Sequence, residues 1–205
     1  MEKRRERIVH EARRMLATGG FEALNLRDLA DVSNVTVPTV YNLIGNKAEL
    51  LRALVLDSFA EYEAEMEKQT PEVGELPCVM VSTFARLLKR DEAYYRATAL
   101  ASERVELESD NQENYGYKRA PLRRYAHDLC NRALDEGLLR GEIAGDLLVE
   151  QMIATHQMAF RDWAHRVISL SDLKKRTLSG FYIALSADAT EDFRRKLAEN
   201  LKALQ

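Results

Sequence analysis

Residues 25–50 read NLRDLADVSNVTVPTVYNLIGNKAEL, and the breaks in this stretch decide the fold. Asn25 is placed to cap a short helix, with Asp28 in the capping-box position and Leu29, Ala30 and Val32 behind it. Ser33-Asn34 interrupts that helix, and asparagine tolerates positive φ, so a tight turn is expected there. Thr36 can cap a third helix over about Val37–Leu43, where Pro38 is tolerated because it sits in the first turn. Gly45 ends it, and Asn46 with Glu49 opens a long helix reaching to about Lys68. Two short helices on a three- to four-residue turn, followed by a long one, have helix-turn-helix geometry.

Outward from this stretch the chain reads as helical throughout, with no convincing alternating strand. A first helix is expected from about Glu2 to Thr18, with Ile8, Ala12, Met15 and Leu16 on one face and Gly19-Gly20 as its left-handed stop. The fourth helix carries the stripe Leu51, Val55, Phe59, Tyr62 and Met66. QTPEVGE at 69–75 is the best linker candidate. Further helices are expected near 76–90, 91–106, 118–136, 146–168, 171–187 and 190–204, with a polar stretch at 108–116. Gly137 and Gly141 bracket a turn, and Ser171 and Thr190 are the expected caps of the last two helices. The fold expected is all-α, with about nine to ten helices.

Composition narrows the function. Gly (9) and Pro (4) are too scarce in 205 residues for a many-stranded sandwich or barrel. A net charge of −3 excludes a chain that is basic throughout, although residues 1–52 carry +2 and the remainder −5, the sign expected of a DNA-binding head on an acidic body. Cys78 and Cys130 lie far apart in apolar helical contexts and read as free buried thiols, which fits a reduced cytosolic setting. The N-terminus MEKRRERIVHEARRM has no signal-peptide core, and no run of 18 apolar residues occurs. A protein neither exported nor membrane-spanning is expected. His10, His127, His156 and His165 show no HExxH or Glu-x-x-His spacing, and GxSxG, P-loop and GxGxxG motifs are missing, so the sequence gives no support for an enzyme, a metal or a cofactor.

A helix that enters a major groove about 12 Å wide has to be short, exposed on one side and braced by its neighbours. Val35, Val40 and Ile44 can brace inward, leaving Thr36, Val37, Thr39, Tyr41 and Asn42 outward. Lys47 in the first turn of the fourth helix combines an ammonium with a helix N-terminus, an anion site suited to phosphate. Lys3, Arg4, Arg5 and Arg7 can reach flanking phosphates or the minor groove.

The stretch RERIVHEARRMLATGGFEALNLRDLADVSNVTVPTVYNLIGNKAELL resembles the N-terminal DNA-binding domain of the TetR (tetracycline repressor) family of bacterial transcription regulators. The resemblance rests on Gly20-Phe21, Leu29-Ala30, Val35-Thr36, Thr39-Val40-Tyr41, and Lys47 with Glu49-Leu50. Departures are Ser33-Asn34 for the family's Ala-Gly, Leu43 for its aromatic or His, Ile44 for its Phe and Asn25 for its Thr. They predict an altered backbone footprint, since Leu43 cannot make the phosphate contact often supplied at that place. The expected DNA contacts are Arg4, Asn25, Arg27, Thr36, Val37, Pro38, Thr39, Tyr41, Asn42 and Lys47.

The resemblance also implies a homodimer whose C-terminal helices hold a ligand pocket. Residues 1–48 would then be the DNA-binding domain, helix 46–68 the connection, and 49–205 the ligand-binding and dimerisation domain. The arc Leu148, Val149, Met152, Ile153, Ala159, Phe160, Trp163 and Val167 is wide enough to face both a core and a partner chain. Phe160, Trp163, Val167 and the small-residue row Thr177, Gly180 and Ala184 are the expected dimer contacts. Phe59, Tyr62, Met66, Phe84, Tyr94, Tyr95, Tyr125, Met152 and His156 could wall a largely apolar ligand site. The function expected is a regulator, most simply a repressor released from a palindromic operator by a small ligand. The alternative is a dimeric helical adaptor that does not bind DNA.

Overall fold

The computed structural model describes residues 2–108 and 121–204. It has ten α-helices among these residues: α1 (Glu2–Ala23), α2 (Leu26–Val32), α3 (Val37–Leu43), α4 (Lys47–Met66), α5 (Leu76–Arg90), α6 (Glu92–Glu108), α7 (Pro121–Asp135), α8 (Gly145–Ala164), α9 (Leu170–Ser186) and α10 (Glu191–Ala203). The polar stretch expected at 108–116, apart from the last residue of α6, and the expected helix start at 118 lie outside the described residues. In place of an unstructured linker, Val73–Glu75 form a 3-10 turn.

The chain divides into two compact units. One is built from the residues up to Glu61 together with α6, the other from the chain between Tyr62 and Lys89 together with α7–α10. In the first unit α1 packs along α6, and Ile8, Ala12 and Leu16 of α1 share a core with Leu29, Ala30, Val40, Leu50, Leu54 and Tyr94. Arg13 pins α1 to both α4 and α6: its guanidinium pairs with Glu61 and lies 4.1 Å from the centroid of the Tyr94 ring. The Tyr95 hydroxyl donates to the other Glu61 oxygen at 3.0 Å, and the Tyr94 hydroxyl donates to the Leu54 carbonyl at 3.0 Å.

In the second unit α8 packs against α7 and α9, and α9 against α10. Gly180 is required there, because a Cβ at that position would lie 2.4 Å from Cγ2 of Thr155 on α8. Thr177 is fully buried on the same face of α9. The small-residue row therefore serves the close approach of α8 and α9 inside one chain. Between α7 and α8 the backbone turns through Gly137 and Gly141, both at positive φ, and is tied to the α9–α10 connection by Asp188. That buried carboxylate accepts the N–H groups of Gly141, Glu142 and Ile143 at 2.8, 2.9 and 3.2 Å.

Several local expectations are corrected. Gly20 breaks the helix at φ 67°, ψ −167°, the left-handed stop expected of Gly19-Gly20, but a further short helical stretch follows it to Ala23. The cap of α9 is Ser169, two residues before the expected Ser171. Its hydroxyl accepts from the Asp172 N–H while Asp172 accepts from the Ser169 N–H; a box on Ser171 would need an acid at 174, which is Lys. Thr190 stands at the N-cap of α10 as expected, but its hydroxyl donates to the Leu138 carbonyl in place of a cap bond. The end of α8 falls at Ala164, before Val167, through a Schellman closure on Arg166 (φ 62°), where Val167 donates to the Asp162 carbonyl and Arg166 to that of Trp163. Cys130 is buried and its thiol is pushed up to about 11 by burial, whereas Cys78 is exposed.

Asp188→Ala leaves three backbone donors without their acceptor and is expected to lower stability by about 3 kcal/mol, measured by urea denaturation. Asp188→Asn, which keeps one acceptor oxygen, should lose less.

Candidate nucleic-acid interface

Each element of the helix-turn-helix is held by a short-range device. The Asn25 side chain accepts the Arg27 N–H at 2.9 Å and starts α2; its own N–H goes to the Ala23 carbonyl, so the capping box expected with Asp28 is replaced by a one-sided cap. Asn34 takes φ 51°, the left-handed turn expected of it, and Val35 N–H returns to the Ala30 carbonyl at 3.0 Å. Thr36 caps α3: its Oγ1 accepts from the Thr39 N–H and lies 2.8 Å from Thr39 Oγ1. At the start of α4 the box is complete, with Asn46 Oδ1 accepting from Ala48 and Glu49 N–H and Glu49 Oε2 accepting from Asn46 N–H at 2.8 Å.

The result is a seven-residue helix with one face locked and one face free. Val40 is wholly buried, and Val35, Leu43 and Ile44 are half-buried. Pro38, Tyr41 and Asn42 are exposed, Tyr41 at 53%, with Val37 and Thr39 at the margins. Arg4, Asn25, Arg27 and Thr36 are exposed as well. Lys47 is half-buried, its ammonium 4.0 Å from the centroid of Phe21. The Arg104 guanidinium lies 5.8 Å from the same ring and pairs with Glu22. Sequence reading missed this ring: Phe21 follows a kinking glycine, which is a signal for chain direction and not for a cation.

A buried-core, exposed-face α3 between two capped helices is the geometry of a groove-reading head, and residues 8–54 match the profile described as bacterial regulatory proteins, tetR family. No curated protein matches the chain. Solved structures share the tetR-family fold over nearly its full length. A Rhodococcus protein assigned to the family is 18% identical, with 89% of this chain and 99% of that one covered and a TM-score of 0.68. SmeT, the repressor of the Stenotrophomonas maltophilia multidrug efflux pump SmeDEF, is 23% identical with 92% of each chain covered and a TM-score of 0.62. A γ-butyrolactone receptor is 15% identical, covers 99% of this chain and 96% of its own, and has a TM-score of 0.62.

In the second unit of this tetR-family fold, four of the residues expected at a ligand site form one aromatic ladder. Tyr62 meets Phe84 and Tyr125 edge-on at 6.1 and 5.8 Å, and Phe84 meets His156 at 4.9 Å. Phe160, expected at a dimer seam, extends the ladder by stacking between His156 and Trp163. Met66 and Met152 are buried. Phe59 and Tyr95 lie in the first unit, where Tyr95 is committed to Tyr94 and Glu61. Trp163 and Thr177 are fully buried and Ala184 nearly so within the chain itself; Val167 is 69% exposed.

His156 Nδ1 is buried without a hydrogen-bond partner among the described residues, and burial pulls the imidazole down to about 4. The folded protein therefore holds a neutral ring, while the unfolded chain protonates near 6.5. Stability from this residue is present above pH 6.5 and is lost as pH falls toward 4, a loss of about 2 kcal/mol between pH 7 and pH 5. Denaturation of His156→Phe at the two pH values should show a drop smaller than wild type by that amount.

Proposed function

We propose that this DNA-binding transcriptional regulator is a homodimeric repressor, released from a palindromic operator by a small, largely apolar ligand. The observation that carries the reading is the outward face of α3, with Pro38, Tyr41 and Asn42 exposed while Val40 is locked into the core. In this reading residues 1–48 bind DNA, α4 connects, and 49–205 bind ligand and partner. Tyr41 and Lys47 hold phosphates beside the groove, and Arg4 and Arg27 contact the flanks. Two heads of a dimer occupy successive major grooves.

The repressor role is supported by likeness in fold to SmeT, and the small ligand by likeness to the γ-butyrolactone receptor. The aromatic ladder around Tyr62, Phe84, Tyr125 and His156 suits a ligand with apolar surface. A ligand releases the operator only by binding the DNA-incompetent state more tightly. For the dimer, Met158 (69% exposed), Val167 and Ile183 (62% exposed) offer apolar surface on and beside α8 and α9. Trp163 and Thr177 spend theirs inside the chain. A cytoplasmic location follows from the DNA partner, and no helix among the described residues is long and apolar enough to cross a membrane.

A gel shift on the DNA upstream of the protein's own gene, repeated over a salt series, tests the reading. Binding should weaken steeply with salt. Tyr41→Ala and Lys47→Ala should each weaken it by about fivefold or more while the dimer persists, at roughly 1 kcal/mol or more per lost phosphate contact. The absence of any shift at low salt would favour the adaptor that does not bind DNA. Ile183→Asp should yield a monomer by sedimentation; an unchanged dimer would remove this face of α9 from the interface.

A further inference from the structure

We propose that α3 reads A·T base pairs: Asn42 pairs with an adenine, and the ring of Pro38 packs on a thymine methyl. The proposal rests on the DNA-binding reading and adds what that site recognises.

The helix VPTVYNL carries no Arg, Lys, Asp, Glu, Gln or His. Guanine is most often read by a bidentate Arg or Lys, and the cytosine amino group by a carboxylate. Neither chemistry is present on α3. What it does carry is sorted by its helical period. Val40 is fully buried, and the direction opposite Val40 falls between Pro38 and Asn42, four residues apart and therefore neighbours on one face. Both are exposed. Tyr41 and Thr39 flank them on either side.

The two threonine hydroxyls at the start of this helix are already engaged with each other. Thr36 Oγ1 and Thr39 Oγ1 lie 2.8 Å apart, and Thr36 Oγ1 also receives the Thr39 N–H as the cap of α3. Among the described residues that leaves the Asn42 amide as the unengaged hydrogen-bonding group at the centre of the face, with the Tyr41 hydroxyl at its flank. One amide oxygen and one amide nitrogen match the N6 donor and N7 acceptor of adenine. Pro38 presents apolar ring carbons one turn away, which match the thymine C5-methyl. The nearby cations sit on other helices: Arg4 on α1, Arg27 on α2, and Lys47 over the Phe21 ring. Guanine contacts, where they occur, belong to the edges of each half-site.

The test is selection of full-length protein on a randomised duplex library, in parallel with Asn42→Ala, followed by base-analogue duplexes of the enriched site. The base pair whose preference disappears in Asn42→Ala should be A·T. Replacing its adenine by 7-deazaadenine, which removes one of the two hydrogen bonds, should weaken wild type about two- to tenfold and leave Asn42→Ala unchanged. Replacing the neighbouring thymine by uracil should weaken wild type several-fold and leave Pro38→Ala unchanged. A G·C pair at the Asn42-dependent position, or preferences identical in Asn42→Ala and wild type, overturns the proposal while leaving DNA binding intact. Retained salt-sensitive binding to random DNA shows that the variants are folded. If no sequence is enriched and no duplex is shifted at low salt, the DNA-binding reading itself falls.

Discussion

The first unit depends on one half-buried guanidinium. Arg13 loses hydration inside a helical core, and burial alone would disfavour its charge. The hydrogen bond and charge of Glu61 outweigh that loss, so its pKa is raised, and the faces of Tyr94 and Tyr95 complete its surroundings. Removing Glu61 would leave Arg13 only the more distant carboxylate of Asp91, 3.8 Å away, which makes the pair a constraint of register more than a source of net stability. With Arg13 fixed, α4 cannot slide along α1 without parting Glu61 from both Arg13 and Tyr95. The position of α4 in turn sets where its capped N-terminus stands behind α3.

Glu61 is followed by Tyr62, and these consecutive residues of α4 commit to different units. Glu61 belongs to the clamp on α1 and α6; Tyr62 donates its hydroxyl to the Met80 carbonyl at 3.2 Å and joins the aromatic ladder. Burial pushes the Tyr62 phenol up, so it stays a neutral donor at every physiological pH. In the proposed mechanism this is where a ligand's preference for one arrangement of the ladder becomes a bias on α4.

Most of the head was legible because its signals are local. Caps, a left-handed Asn34, a tolerated Pro38 and a terminating Gly45 each act within four residues, and α3 has the bounds its sequence predicts. The misplaced features share a different cause. The end of α8 is closed by Arg166 in the left-handed region, a conformation that only the surrounding packing selects for arginine. The stripe Thr177–Gly180–Ala184 was visible, yet whether small residues meet a neighbouring helix or a partner chain is decided by the third dimension, here Thr155. Asp188, Arg13 and the cation over Phe21 likewise act across tens of residues. Of the proposed ligand residues, the ladder of Tyr62, Phe84, Tyr125 and His156 came from helices distant in sequence, and residue type alone could not separate it from Tyr95 in the other unit.

An uncharged recognition helix has a consequence for how affinity and specificity divide. Phosphate neutralisation supplies most of the binding free energy of such proteins and carries no sequence information. Here the cations that could supply it, Arg4, Arg27 and Lys47, lie on α1, α2 and α4, while the surface of α3 proposed to face the bases is apolar and amide. The head's excess of two positive charges is modest, so in the proposed mode of binding one head alone would hold DNA weakly. Discrimination then cannot come from a single strong guanine contact. In the proposed homodimer it would be accumulated over two half-sites held at a fixed separation, and the spacing of the heads would then be the variable to which operator affinity is most sensitive.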